Sequence, residues 1–80
     1  MRLSELKTNQ QAVIVQVHHF QNKLEQDTIA ARLDHLGFAS GEKIQIVSKS
    51  LFGGDPIVVK VGFTRFALRR NEAERIEVKI

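Results

Sequence analysis

Only one stretch of this 80-residue chain carries apolar residues at helical spacing, and that limits what the chain can fold into more than any other feature. Within residues 27–36, Ile29, Leu33 and Leu36 recur at i, i+4 and i+7, a single stripe widened by Ala30. Asp27 stands where an N-cap belongs, and its carboxylate suits the positive end of the helix dipole. Gly37 supplies the left-handed C′ position, and Phe38 follows as the C″ residue that folds back on Leu33. The remaining apolar residues alternate in short runs, which is the period of strands. Residues 11–20 place Val13, Val15 and Val17 on one face. Residues 43–48 alternate around Ile44 and Ile46. Residues 57–61 are apolar on both faces until Lys60, as in a central strand. Residues 63–69 set Phe66 and Leu68 on one face, and residues 76–80 alternate Ile76, Val78 and Ile80 with Glu77 and Lys79.

The joints between these runs are short. Leu3 and Leu6 flank a turn that Ser4 can cap. Ser40-Gly41 makes a turn, Phe52-Gly53-Gly54-Asp55-Pro56 a loop, and Gly62 a bulge or turn. Asn71 is placed to cap a single helical turn through Ala73. No repeat or Pro/Gly/Ser-rich linker interrupts the chain, and 80 residues do not divide into two cores, so residues 1–80 form one domain. The pattern predicts a mainly β protein: a small, partly open SH3-like barrel of about five strands with one inserted helix and a one-turn helix before the last strand.

Composition narrows the chemistry. With no cysteine there is no disulfide framework, no thiolate metal site and no thiol nucleophile. Twelve basic against nine acidic residues leave a net charge of +3, which permits an acidic protein, an anionic lipid surface or nucleic acid and demands none. The longest apolar run is four residues, Ala12 to Val15, so no segment spans a membrane. The N-terminus lacks the apolar core of a signal peptide, which predicts a cytoplasmic location. Gly53-Gly54 is followed by neither Lys-Ser/Thr nor a helix, so it is no phosphate-binding loop. His18 and His19, adjacent on a strand, face opposite ways, and His35 sits near the helix end. These three are weak metal-ligand candidates, and no metal site or cofactor is expected. Asp55 reads chiefly as a turn residue that bonds nearby backbone N–H groups. Arg69-Arg70 is the one adjacent basic pair, suited to an acidic partner or a phosphate.

The order of these pieces resembles the ferrous iron transport protein A (FeoA) family. The residues that carry it are Ala31-Arg32-Leu33-Asp34-His35-Leu36-Gly37-Phe38, Ser40-Gly41-Glu42-Lys43-Ile44, Gly54-Asp55-Pro56-Ile57, Ala67-Leu68-Arg69-Arg70, Glu72-Ala73 and Ile76-Glu77-Val78. The resemblance runs from Leu3 to Val78, with two departures. Ser50-Leu51-Phe52-Gly53-Gly54 replaces a proline-containing loop of many relatives, and the segment from His18 to Gln26 is somewhat long. The same barrel closes iron-dependent repressors, but this chain has no room for their DNA-binding helices.

The resemblance implies a non-enzymatic, cytoplasmic accessory of bacterial ferrous iron uptake. Its partner would be the FeoB-type membrane transporter, met at its cytoplasmic GTP-binding region on the inner face of the membrane, with an effect on the GTPase cycle. Weak self-association is compatible with this reading. Leu33, Leu36, Phe52, Asp55, Arg69 and Arg70 are the candidate partner contacts, and Gly37, Gly41, Gly54, Pro56 and Gly62 the structural motif residues. An arginine finger on the partner's GTPase, from Arg69 or Arg70, is a sharper version of the same idea. Two alternatives belong to other classes. A nucleic-acid-binding barrel needs a basic face with stacking aromatics, and the chain has five Phe but neither Tyr nor Trp. A direct Fe(II) chaperone needs clustered ligands, which the alternation of His18 and His19 opposes.

Overall fold

The computed structural model describes residues 1–19, 28–50 and 55–80. Asp27, Phe52 and Gly54, singled out from the sequence, lie outside the described residues. Five strands, β1 (Gln11–Val17), β2 (Lys43–Lys49), β3 (Ile57–Val61), β4 (Thr64–Leu68) and β5 (Ile76–Lys79), form one antiparallel sheet in the order β4-β3-β2-β1-β5. β4 and β5 do not pair with each other, so the sheet stays open, as expected of a partly open barrel. Helix α1 (Thr28–Leu36) lies between β1 and β2 in the chain, and the one-turn helix α2 (Arg70–Ala73) between β4 and β5. A 3₁₀ turn at Leu3–Glu5 precedes them. Residues before it lie along β5: the Val78 N–H donates to the Met1 carbonyl at 2.7 Å, and Arg2 bridges Glu77.

The core gathers one face of each element. Ala12, Ile14 and Val17 of β1, Ile44 and Ile46 of β2, and Ile57 and Val59 of β3 point inward. So do Leu68, Ile76 and Val78, against Leu3, Leu6, Ala30, Leu33 and Phe38. Phe66 packs on Phe38 with ring centroids 5.1 Å apart and planes tilted by 52°, a favourable aromatic geometry.

Strand β1 departs from the alternation read in its sequence. The register against β5 shifts between Ile14 and Gln16, and this bulge inverts the parity of the strand. Val17 is therefore buried with Ala12 and Ile14, whereas Val13 and Val15 are half-exposed on the outer face.

Helix α1 ends as its sequence requires. Gly37 has φ +99°, its N–H donates to the Asp34 carbonyl at 3.2 Å, and the Phe38 N–H donates to the Leu33 carbonyl at 3.2 Å. These two bonds make a Schellman stop, and the buried side chains of Leu33 and Phe38 close it. Gly41 takes φ +91° in the turn before β2, and Gly62 opens the two-residue turn between β3 and β4. Pro56 follows a cis peptide bond at the entry to β3.

Two caps differ from the sequence expectation. Ser4 does not cap the 3₁₀ turn; the Glu5 carboxylate accepts the Arg2 N–H at 3.0 Å. Asn71 lies inside α2, whose N-cap is Arg69. The Glu72 carboxylate reaches back to accept the Arg69 N–H at 2.9 Å, half of a capping box.

Candidate functional site

Of the candidate contacts among the described residues, Leu33 and Leu36 lie on α1, Arg70 on α2, and Arg69 and Asp55 beside the start of α2. Glu72 is the hinge pin of the arrangement: one carboxylate oxygen caps Arg69, and the other pairs with the Arg32 guanidinium of α1. Its side chain is only 12% exposed, against 55% for Arg32, so the bond ties α2 to α1 from a sheltered position. Asp55, just ahead of β3, accepts the N–H of Arg70 at the start of α2. β3 and β4 are paired with Ile57 opposite Leu68, which brings residue 55 beside residue 70. Asp55 thus satisfies one of the donors that a helix start leaves unpaired, and it does so across the fold rather than within its own turn. The Arg70 side chain leans toward Glu74 of the same helix at 3.6 Å.

Leu33 and Leu36, alike in sequence, have separate fates. Leu33 is 0% exposed and belongs to the core, so it offers a partner nothing, which corrects its place among the candidate contacts. Leu36 is 36% exposed and lines a shallow apolar groove with Ala31, Arg32 and His35. The surface that results runs from Leu36 along α1 to Arg32, over Glu72, and on to Arg69 and Arg70. A second groove, of about 510 Å³, lies beside it between the helices, with Ile29, Arg32 and Arg69 among its walls.

The histidines are dispersed. His18 Nε2 is 2.6 Å from a carboxylate oxygen of Glu77 in β5, and His19 Nε2 is 2.8 Å from Asp34 in α1. The two rings serve different carboxylates on different elements, but β1 ends at Val17, so both histidines lie just past the strand on which the sequence places them. The hydrogen bond from His18 is the largest influence on Glu77, followed by that from Gln16; together they hold its carboxyl below the usual glutamate range. Among the described residues, no three His, Asp or Glu side chains group to hold a metal ion. No helix of the described residues is long and apolar enough to cross a membrane.

The FeoA domain family model matches residues 1–80. The chain belongs to the FeoA family. A curated Fe(2+) transport protein A/Fe(2+) transporter FeoB fusion protein of Porphyromonas gingivalis is 35% identical over all 80 residues, which are 9% of its own length. Among solved structures, the zinc-complexed FeoA of Stenotrophomonas maltophilia, described as a prokaryotic SH3 domain protein, is 47% identical with a TM-score of 0.86. That match covers 99% of this chain and 89% of the other. FeoA of Chlorobium tepidum is 35% identical with a TM-score of 0.80, over 100% of this chain and 70% of the other. The SH3-like fold expected from strand number and helix placement is therefore that of the family. Its association with ferrous iron transport is carried by these relatives.

Sequence reasoning missed Arg32 and Glu72 as a pair, because 40 residues separate them. The one local signal was Glu72 three residues after Arg69, the spacing of a capping box, which places α2 but not its partner.

Proposed function

We propose that this FeoA-family chain is an accessory of ferrous iron uptake. It docks on the cytoplasmic GTP-binding region of a FeoB-type transporter and modulates GTP hydrolysis there. The observation that carries the reading is the fusion relative, in which a segment 35% identical to this whole chain is joined covalently to a FeoB transporter. A permanent link between two modules raises their effective concentration, which favours a weak docking contact that two separate chains would otherwise make by diffusion. The Stenotrophomonas relative, described in terms of an activating factor for ferrous iron transport, supports the same direction.

The docking face is the exposed surface of α1 and α2. Leu36 gives it an apolar anchor, and Arg69 and Arg70 give it positive charge for an acidic partner surface. Titrating the purified chain against the transporter's GTP-binding region, with and without nucleotide, tests this. Association that weakens at least about fivefold in Leu36→Ser and in an Arg69→Ala/Arg70→Ala variant supports it, since loss of a good anchor costs more than about 1 kcal/mol. No association in any nucleotide state, together with unchanged Fe(II) uptake after deletion of the gene, rejects it.

A further inference from the structure

The outer face of the sheet, on the side of the strands away from the core, carries a charge pattern that the docking reading does not use. Strand registry sets Gln11, Gln45, Lys60 and Arg65 directly opposite one another in one row across β1, β2, β3 and β4. The next row places Lys79 and Lys43 on either side of Val13. Gln11, Lys43, Gln45 and Lys60 line one open groove there, together with Ile44 and Gly62. Among the described residues, none of Lys43, Lys60, Arg65 or Lys79 makes an ion pair.

Among the described residues, the acidic group on this face is Glu77, two residues before Lys79 in β5, and His18, Gln16 and Arg2 already engage its carboxylate. Glu42 lies one residue ahead of β2, where its carbonyl still accepts the Ile14 N–H of β1 at 2.9 Å. Lys60 opposite Arg65 is a like-charge cross-strand pair, an arrangement that costs stability unless an anion lies over it. At the rim, in the two-residue turn that joins β3 to β4, Phe63 is 102% exposed, more than any other large apolar residue among those described.

We propose that this face binds the surface of an anionic phospholipid bilayer, with Lys43, Lys60 and Arg65 over headgroup phosphates and Phe63 entering the interface. A bilayer suits the pattern better than an acidic protein segment does. The cations are spread along a sheet face, and each meets a phosphate on a continuous anionic plane without matched geometry. A single protruding Phe ring can bury its apolar surface at the boundary of headgroups and acyl chains, as the apolar side chains of interfacial segments do. The proposal goes beyond docking on a transporter, and its test contains no transporter, so the two readings fail separately.

Co-sedimentation of the full chain with vesicles of phosphatidylcholine alone, and with an equal mixture of phosphatidylcholine and phosphatidylglycerol, is the experiment. Binding to the mixed vesicles only is expected, and it weakens as salt rises from about 0.1 M to about 1 M and the Debye length falls from about 10 Å to about 3 Å. Each neutralised cation should lower partitioning about fivefold, so Lys43→Gln/Lys60→Gln/Arg65→Gln should lose roughly 100-fold. Phe63→Ser should lose several-fold at unchanged salt dependence. Circular dichroism of both variants verifies that they are folded. No wild-type binding to the anionic vesicles at low salt overturns the proposal, as does equal binding by the folded triple variant. Binding to an acidic peptide or to RNA that requires the same three cations, with vesicles left unbound, assigns the face to that partner and overturns the lipid reading.

Discussion

Asp55 and Gly37 show how much a single residue decides here. The Asp55 carboxylate accepts the Arg70 N–H and is exposed, so its contribution is that of a surface cap rather than a buried ion. Asp55→Ala is expected to cost about 1 kcal/mol, and Asp55→Asn, which keeps an acceptor, clearly less. Urea denaturation of the three proteins checks the order. At Gly37, a Cβ would meet nothing within 4 Å, so the cost of Gly37→Ala is conformational and not steric crowding. With φ at +99°, that cost is about 1–2 kcal/mol, and the same denaturation measurement reads it. Glu77 sets a pH dependence. Its folded carboxyl titrates below the ordinary glutamate range, chiefly because His18 hydrogen-bonds to it, so the folded state favours the ionised form. The resulting stability is fully present above the unfolded glutamate value and is lost as the pH falls through the lowered folded one. Thermal melts across that acidic window should show a fall that Glu77→Gln flattens; an identical slope in both proteins would remove Glu77 from the account.

Between elements, the clasp from α2 to α1 is the contact that keeps the candidate surface in one piece. Glu72 makes two bonds with two oxygens, so its variants separate the two tasks. Glu72→Gln retains an acceptor for the Arg69 N–H and gives up the charge pairing with Arg32, for an expected loss of about 0.5–1 kcal/mol. Glu72→Ala gives up both and should lose about 1–2 kcal/mol, with faster amide exchange in residues 69–74 as the local readout. This scale also shows what a sequence can and cannot disclose. The stop of α1 is legible because Leu33, Gly37 and Phe38 lie within six residues, and its two hydrogen bonds are local. The five strands are legible because each is a short alternating run or, in β3, a short apolar run bounded by Pro56 and Gly62. The inward face of β1 is not, because the bulge between Ile14 and Gln16 exists only in the pairing with β5, some 60 residues away. The same reason hides the candidate surface: Arg32 with Glu72, and Asp55 with Arg70, meet only when the helices have packed on the sheet.

At the scale of the whole molecule, one small core must serve stability while the surface serves binding, and Leu33 and Leu36 separate the two. They lie three residues apart on α1, yet Leu33 is 0% exposed and Leu36 is 36% exposed. Leu33→Ala removes a side chain wholly enclosed by the core and should cost about 2–5 kcal/mol. A domain of this size has a total stability at the low end of about 5–15 kcal/mol, so that variant populates unfolded chains measurably. Leu36→Ala leaves the core filled and should stay within about 0.5–1 kcal/mol of wild type in denaturation. If the exposed face of α1 and α2 meets the transporter, Leu36→Ala weakens association without a change in melting behaviour. Leu33→Ala, assayed at low temperature where it remains folded, binds with its affinity reduced only by its unfolded fraction. The reverse pattern, with Leu36→Ala binding normally and folded Leu33→Ala not at all, would place the contact elsewhere. Arg69→Ala and Arg70→Ala then divide docking from chemistry. An arginine that enters the partner's GTP site changes hydrolysis by about 10³–10⁵ at saturating protein, whereas one that only steers docking changes the concentration needed to saturate. A full titration of GTP hydrolysis by the transporter's GTP-binding region against each variant separates the two curves.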